Sequence, residues 1–143
     1  MALDKMIDRK AKSFVAIMVI LALSALVLRI AVEEIIKISI ARNQSNASMT
    51  LKLISAALEN YAKDKSGVYP VSIAALTQVK PSYLDRDYLA YSPIKGYEFS
   101  CSRIDATGYS CSASPIKCNL TGKKLYTIAS GGIFVSEDCS KKE

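Results

Sequence analysis

The stretch Phe14–Leu28, FVAIMVILALSALVL, is fifteen residues long and contains no charged residue, no proline and no glycine. As an α-helix it would rise about 22 Å. Continuing through Arg29, whose long side chain can reach the headgroup region, to Val32 gives about 28 Å, close to the thickness of the hydrocarbon core of a bilayer. The sequence therefore predicts one membrane-spanning helix over residues 14–32, with a lipid membrane around it.

Positive charge is concentrated before this stretch. Residues 1–13 carry four lysines and arginines against two aspartates, whereas Arg29 is the only cation between the stretch and Glu33. Because lysine and arginine keep their end of a span in the cytoplasm, we expect residues 1–13 to be a cytoplasmic leader. The rest of the chain would then be periplasmic or extracellular, anchored in the cytoplasmic (inner) membrane by a single pass.

An alternative is a conventional signal peptide, with Ala22 and Ser24 as the small residues before a cut. The apolar run continues beyond that point to Leu28, so such a cut would leave an apolar new N-terminus. We therefore rank the signal peptide below the anchor.

Composition argues against nucleic-acid binding and against catalysis. The net charge of +6 is spread along 143 residues, and no segment forms a basic arm. The absence of histidine removes the commonest general base, the Ser-His and Cys-His nucleophile pairs, and imidazole metal ligands. We therefore expect no enzyme activity, no cofactor and no nucleic-acid partner.

The helical pattern continues past the apolar stretch. No proline or glycine occurs before Gly67, and Lys63 and Lys65 stand in the predicted last turn, where cations favour a helix end. Residues 14–65 are therefore predicted to form one helix, with a kink or melted turn at 42–48, which is rich in poor helix formers. An apolar stripe with helical spacing marks its second half: Ala47, Leu51, Ile54, Leu58 and Tyr61.

Residues 66–143 are rich in turn signals and tyrosines, which predicts a small globular head. Ser72 can cap a short helix over 73–76, which Pro81 would end. Two hairpins follow. We expect the first at 96–102 and 109–113, with a turn over 105–108, and the second at 124–129 and 132–135, after a turn at 121–122.

All four cysteines lie in this head, where disulfides persist if it is exported. A turn centred on Ala106 places Cys101 opposite Cys111, and Cys118 and Cys139 flank the second hairpin. Four cysteines permit three pairings, of which we favour 101–111 with 118–139. No Cys-x-x-Cys spacing occurs, so structural disulfides are favoured over a zinc site or a redox-active pair.

Other candidate sites are weaker. Glu137 and Asp138 supply too few oxygens for calcium, so we predict no metal site. Asparagine glycosylation motifs begin at residues 43, 46 and 119. Tyrosines 61 and 69 are expected between helix and sheet. Tyrosines 83, 88 and 91 either anchor loops or form an exposed face for a partner.

A charged leader is followed by a helix that opens on Phe14 and becomes amphipathic, and then by these pieces in order: Leu58-x-x-Tyr61, Tyr69-Pro70 with Leu76, Gly96-Tyr97, Tyr109 to Pro115, Thr121 to Tyr126, and Gly132-Ile133. With these features the chain resembles type IV pilin-like proteins, and most closely the pseudopilins of type II secretion. The resemblance covers nearly the whole chain from Lys12 onward.

The resemblance implies an α+β fold in which a long N-terminal transmembrane helix packs on a small C-terminal antiparallel sheet. It also implies that a prepilin peptidase removes the leader between Ser13 and Phe14. Two residues depart from the family: Ser13 replaces the typical glycine before the cut, and Met18 replaces a glutamate at the fifth mature position. That glutamate pairs with the new amino terminus of a neighbouring subunit, so its absence suits a minor or tip subunit, or an unprocessed protein.

The implied function is assembly, as a pilin or pseudopilin of a type IV pilus-like filament or a type II secretion pseudopilus. Its partners would be other pilin-like subunits, the prepilin peptidase and an inner-membrane assembly platform. One alternative is a single-pass anchored binding module that does not polymerise. Another is an exported enzyme, for which no Ser-x-x-Lys stands at a helix start in the head.

Overall fold

The chain folds into helices and one sheet. The computed structural model describes residues 2–142 and the side chains of residues 14–140. The α+β class expected from the sequence is confirmed. The helices are α1 (Ala2–Asp64) and α2 (Ala74–Gln78), and the strands are β1 (Tyr97–Asp105), β2 (Gly108–Pro115), β3 (Lys124–Ala129) and β4 (Ile133–Asp138). Single 3₁₀ turns cover Ser130–Gly132 and Cys139–Lys142.

The chain divides into two units, and the division falls within α1. Unit 1 is Met1–Ile38 and unit 2 is Ser39–Glu143. In unit 1 every described side chain from Phe14 to Ile35 is exposed, because no other element packs on it within the unit. Unit 2 contains the remainder of α1, α2 and the whole sheet.

The expected break at residues 42–48 is wrong, because α1 is helical through this region. Asn43 donates from its side-chain amide to the carbonyl oxygen of Thr121, at 3.0 Å. Gln44 donates to the hydroxyl of Tyr126 at 3.4 Å, and Ala47 is 1% exposed. Hydrogen bonds to the sheet and burial therefore offset the low helix propensity of the polar residues.

The apolar stripe of α1 forms the helical side of the core, as its spacing predicts. Leu51, Ile54 and Leu58 are each at most 1% exposed, and Tyr61 packs at the edge of the same cluster. The sheet contributes the opposite side of the core: Tyr97, Phe99, Tyr109, Cys111, Ala113, Tyr126 and Ile128.

α1 ends where its stop signals predict. Gly67 adopts a left-handed conformation with φ of 88°, and its N–H donates to the carbonyl oxygen of Ala62 at 2.7 Å. Glycine enters this region without steric cost, so the chain can reverse and satisfy a carbonyl of the last turn.

Burial rather than capping positions α2. Its first flanking residue is Ile73, with no side-chain cap, so the expected cap by Ser72 is wrong and the helix begins at Ala74. Ile73 and Leu76 are 2% and 0% exposed, and the N–H groups of Tyr83 and Leu84 donate to the carbonyl oxygen of Leu76. These contacts hold a helix too short to be stable by itself.

The four strands form one antiparallel sheet in the order β1-β2-β3-β4. Asp105 pairs with Gly108 across a two-residue turn, and a bulge lies between Cys101 and Arg103. In the second hairpin, β4 reaches Asp138, three residues beyond the end expected from the sequence. The ladder with β3 extends β4 over residues whose own sequence carries no apolar alternation.

Two disulfides cross-link the sheet, in the pairings favoured from the sequence. Cys101 and Cys111 are opposite each other on β1 and β2 and are bonded. Cys118, in the connection from β2 to β3, is bonded to Cys139, immediately after β4. The second bond therefore ties the connection of residues 116–123 to the C-terminal end of the sheet.

Candidate functional site

The first candidate surface is the apolar part of α1. Phe14, Met18 and Leu28 are 64%, 55% and 66% exposed, and no polar side chain other than Ser24 interrupts the residues between Phe14 and Leu28. Among the described residues, one helix, near the N-terminus, is long and apolar enough to cross a membrane. A single-pass membrane anchor is compatible with this surface.

Of the two residues predicted to flank the peptidase cut, the structure describes the side chain of one. The side chain of Ser13 lies outside the described residues, whereas Phe14 is the first described side chain and is exposed. Met18, where the pilin-like pattern has a glutamate, presents only a thioether. The first carboxylate after Phe14 is that of Glu33.

The charges that follow the apolar run are paired within α1. Arg29 lies 3.4 Å from Glu33, one turn away, and Lys37 donates to Glu34 at 2.6 Å. The hydrogen bond that Lys37 donates to Glu34 raises the pKa of the Lys37 ammonium. The charges of this segment thus have partners on their own helix, as expected at exposed (i, i+3) and (i, i+4) positions.

The second candidate feature is the polar junction between α1 and the sheet, centred on Glu59. Its carboxylate accepts hydrogen bonds from the hydroxyls of Tyr69 and Tyr109, each at 3.0 Å, and from the N–H of Gly131 at 2.8 Å. One helical side chain therefore holds the segment after α1, strand β2 and the turn between β3 and β4.

Tyr109 is the most buried member of this junction. Its hydroxyl also lies 2.7 Å from the hydroxyl of Ser55, which is 5% exposed. Burial raises the pKa of Tyr109 to about 12, and burial likewise raises that of Tyr97 to about 12. Both phenols therefore remain neutral over the physiological range, consistent with a structural role.

The third feature lies around Asn43, at the other end of the packed part of α1. Here the connection of residues 116–123, which we name the Asn43 loop, meets the residues just before β1. A Cβ added to Gly122 would lie 2.1 Å from the hydroxyl oxygen of Tyr97, so only glycine fits this approach. The Tyr97 hydroxyl donates to the carbonyl oxygen of Lys124 at 2.8 Å and fixes the start of β3.

The tyrosines considered from the sequence divide into anchors and one exposed ring. Tyr61 packs edge-on against Tyr83, whose hydroxyl donates to Asp64 at 2.6 Å. Tyr88 donates to Asp85 at 2.8 Å. Tyr91 is 69% exposed. Of the two alternatives for tyrosines 83, 88 and 91, Tyr83 and Tyr88 are therefore loop anchors and only Tyr91 is an exposed ring.

The acidic pair and the glycosylation motifs also have defined surroundings. Glu137 and Asp138 are exposed at the end of β4, and the described residues contain no group of three histidine, cysteine, aspartate or glutamate side chains that could hold a metal ion. The amide of Asn43 is engaged with the Asn43 loop, so a sugar there would displace a packing contact. Asn119, in the loop itself, is exposed.

The sequence did not predict the contacts of two residues central to these junctions, Glu59 and Asn43. The spacing of Ser55 and Glu59, one helical turn apart beside the apolar stripe, could have indicated a polar contact between α1 and the sheet. Nothing local to Asn43 indicates a contact with Thr121, 78 residues away.

Comparison of the chain with models of known protein families, with curated proteins and with solved structures finds no match.

Proposed function

We propose that the chain is a structural subunit, a pilin or pseudopilin, of a type IV pilus-like filament or a type II secretion pseudopilus. One observation carries the proposal: α1 has an uncovered apolar surface from Phe14 onward and, farther along, a buried stripe beneath a small cross-linked sheet. A helix of this kind is stable in lipid and can exchange lipid for helices of neighbouring subunits, where packing drives association.

The head supports this role because disulfides and hydrogen bonds cross-link its elements. Two disulfides join neighbouring strands and the Asn43 loop, and Glu59 fastens α1 to the sheet. A subunit that is withdrawn from a bilayer and inserted into a filament needs a head that stays folded while its helix changes surroundings. The partners would be other pilin-like subunits, a prepilin peptidase and an inner-membrane assembly platform.

The test is the intact mass and N-terminal sequence of the protein recovered from host membranes under non-reducing conditions. We expect a chain that begins at Phe14, with or without N-methylation, and whose four cysteines are oxidised. A Ser13→Gly variant, which restores the residue typical of the family, serves as the matched control for cleavage. Loss of the shortened wild-type form in a host that lacks the prepilin peptidase would assign the cut to that enzyme.

Ser13 and Met18 favour a second candidate, a single-pass anchored binding module that does not polymerise. If the wild-type protein retains residues 1–13 while the Ser13→Gly variant is cut, Ser13 itself blocks processing. That result would overturn the processed-subunit proposal and leave the anchored module.

A further inference from the structure

The Asn43 loop and its surroundings expose lysines beside aliphatic side chains. Ile116 and Leu120 are 52% and 51% exposed. Four lysines on the loop and next to it are also exposed: Lys95, Lys117, Lys123 and Lys124. Where a protein surface lies on a bilayer, exposed aliphatic side chains enter the boundary region and lysines meet the headgroups.

The patch occupies the end of unit 2 at which the packed part of α1 begins. The hydrogen bond from Asn43 to Thr121 holds the loop at this end. The opposite end of the packed part of α1 lies at Glu59, sixteen residues farther along the helix.

The charge around the loop is positive after its acidic neighbours are counted. Glu137 and Asp138 on β4 and Glu98 on β1 lie at the same end of the sheet, and Asp138 pairs in register with Lys124. Three carboxylates thus oppose four lysines. None of the ion pairs formed between described residues in unit 2 involves these lysines. Their ammonium groups are therefore free of carboxylate partners among those residues.

We propose that this patch contacts the surface of a bilayer that contains anionic phospholipids, with Leu120 in the boundary region and Lys117 and Lys123 at the headgroup phosphates. The inference rests on the membrane anchor in the proposed function and adds a second, reversible contact of the head. While the subunit is in the membrane, the contact would restrain the head at the bilayer surface. Assembly into a filament would release it.

The chain contains no tryptophan, which makes a single introduced indole a specific probe. The full-length Leu120→Trp variant is reconstituted into vesicles of neutral phosphatidylcholine, and into vesicles in which phosphatidylglycerol replaces about a third of it. Quenching by lipids brominated near the headgroup end of the acyl chains reports contact with the boundary region. Val71→Trp is the matched control, because Val71 is 80% exposed and follows Tyr69, whose N–H bonds to the β1–β2 turn.

We expect Leu120→Trp to emit at shorter wavelength and to be quenched at least about twofold more than Val71→Trp, with the difference larger in anionic vesicles. Adding Lys117→Gln and Lys123→Gln to Leu120→Trp should remove the dependence on anionic lipid. The same pair of changes at Lys63 and Lys65, on the far end of the helix, should leave it unchanged.

Flotation of the same samples separates this inference from the proposed function. If the chain does not float with vesicles, the membrane anchor fails and the inference fails with it. If it floats but Leu120→Trp is quenched no more than Val71→Trp, the lipid contact is overturned while the anchor stands. Equal quenching in neutral and anionic vesicles would overturn the role of the lysines. Circular dichroism and a thiol assay establish that each variant is folded and oxidised.

Discussion

Glu59 connects α1 to three other segments of the head. Its carboxylate accepts three hydrogen bonds from groups that lie 10, 50 and 72 residues away in sequence. Hydrogen bonds to a charged acceptor are stronger than neutral ones, and donors left without a partner retain their desolvation penalty. Removing this carboxylate would therefore leave three donors at the junction between α1 and the sheet without this acceptor.

We expect Glu59→Ala to lower the free energy of unfolding by about 1–3 kcal/mol, because it removes the acceptor for Tyr69 and Gly131 and one acceptor for Tyr109. Urea unfolding of the full chain in mild detergent, followed by circular dichroism, measures the change. Asn60→Ala, at the next and exposed position of the same helix, should change it by less than about 0.5 kcal/mol. Equal effects of the two substitutions would contradict the role assigned to Glu59.

Tyr97 and Tyr109 predict a loss of stability at alkaline pH. Burial raises the pKa of each phenol to about 12, whereas a tyrosine in an unfolded chain titrates near 10. The folded state therefore binds these protons more tightly. The stability they contribute is fully present below about pH 10 and is lost as pH rises through about 12.

Ultraviolet absorbance of ionised tyrosine, recorded together with circular dichroism, tests this expectation. Of the eight tyrosines, a subset that includes these two should ionise only with loss of the sheet signal. Tyr109→Phe should reduce the size of that late step. Ionisation of all eight before any loss of structure would show that the two phenols are accessible in the folded head.

At the scale of elements, α1 shows what sequence periodicity can and cannot predict. The buried stripe followed from spacing, because a helix places residues three and four apart on one face. The first hairpin followed from its turn. Continuity through residues 42–48 did not follow, because propensity is local, whereas Asn43 finds its partner 78 residues away.

The contacts of Glu59 were missed for the same reason. The location of the exposed apolar surface, by contrast, could be predicted, since it depends on composition alone.

Two leucines of α1 allow a matched test of the packed face. Leu58 is 0% exposed and Leu53 is 45% exposed. We expect Leu58→Ala to lower the free energy of unfolding by about 2–5 kcal/mol, through lost burial and the cavity left between helix and sheet. Leu53→Ala should cost less than about 1 kcal/mol in the same urea titration. A comparable loss at both positions would place the packed face elsewhere.

The Cys118–Cys139 bond has a local consequence that can be separated from overall stability. Its loop closes over 21 residues, which in the chain-entropy description corresponds to about 3 kcal/mol. In a Cys118→Ser, Cys139→Ser double variant we expect that loss, together with faster amide hydrogen exchange in the Asn43 loop. The β1–β2 hairpin, which keeps its own disulfide, is the internal reference. Unchanged exchange in residues 116–123 would show that other contacts hold the loop.

For the molecule as a whole, the apolar run makes membrane integration the property to test. We expect Leu21→Arg to lower the fraction of protein that resists alkaline carbonate extraction, because arginine at the centre of a span costs about 2.5–3.5 kcal/mol on insertion scales. Leu53→Arg, on the exposed face of α1 beyond the run, should extract like the wild type. Equal retention of both variants in membranes would mean that another part of the chain supplies the anchor.

The continuity of α1 also imposes an order on biosynthesis. The helix is made first, but Thr121, the partner of Asn43, is made 78 residues later, about 4–16 s at ordinary translation rates. During that interval the stripe from Ala47 to Tyr61 has no sheet to cover it, and Cys118 must wait for Cys139. The head can close only after almost the entire chain has been synthesised. A nascent chain stalled before β1 would therefore present a bare apolar stripe to chaperones and proteases, and one stalled before Cys139 would present the unpaired thiol of Cys118.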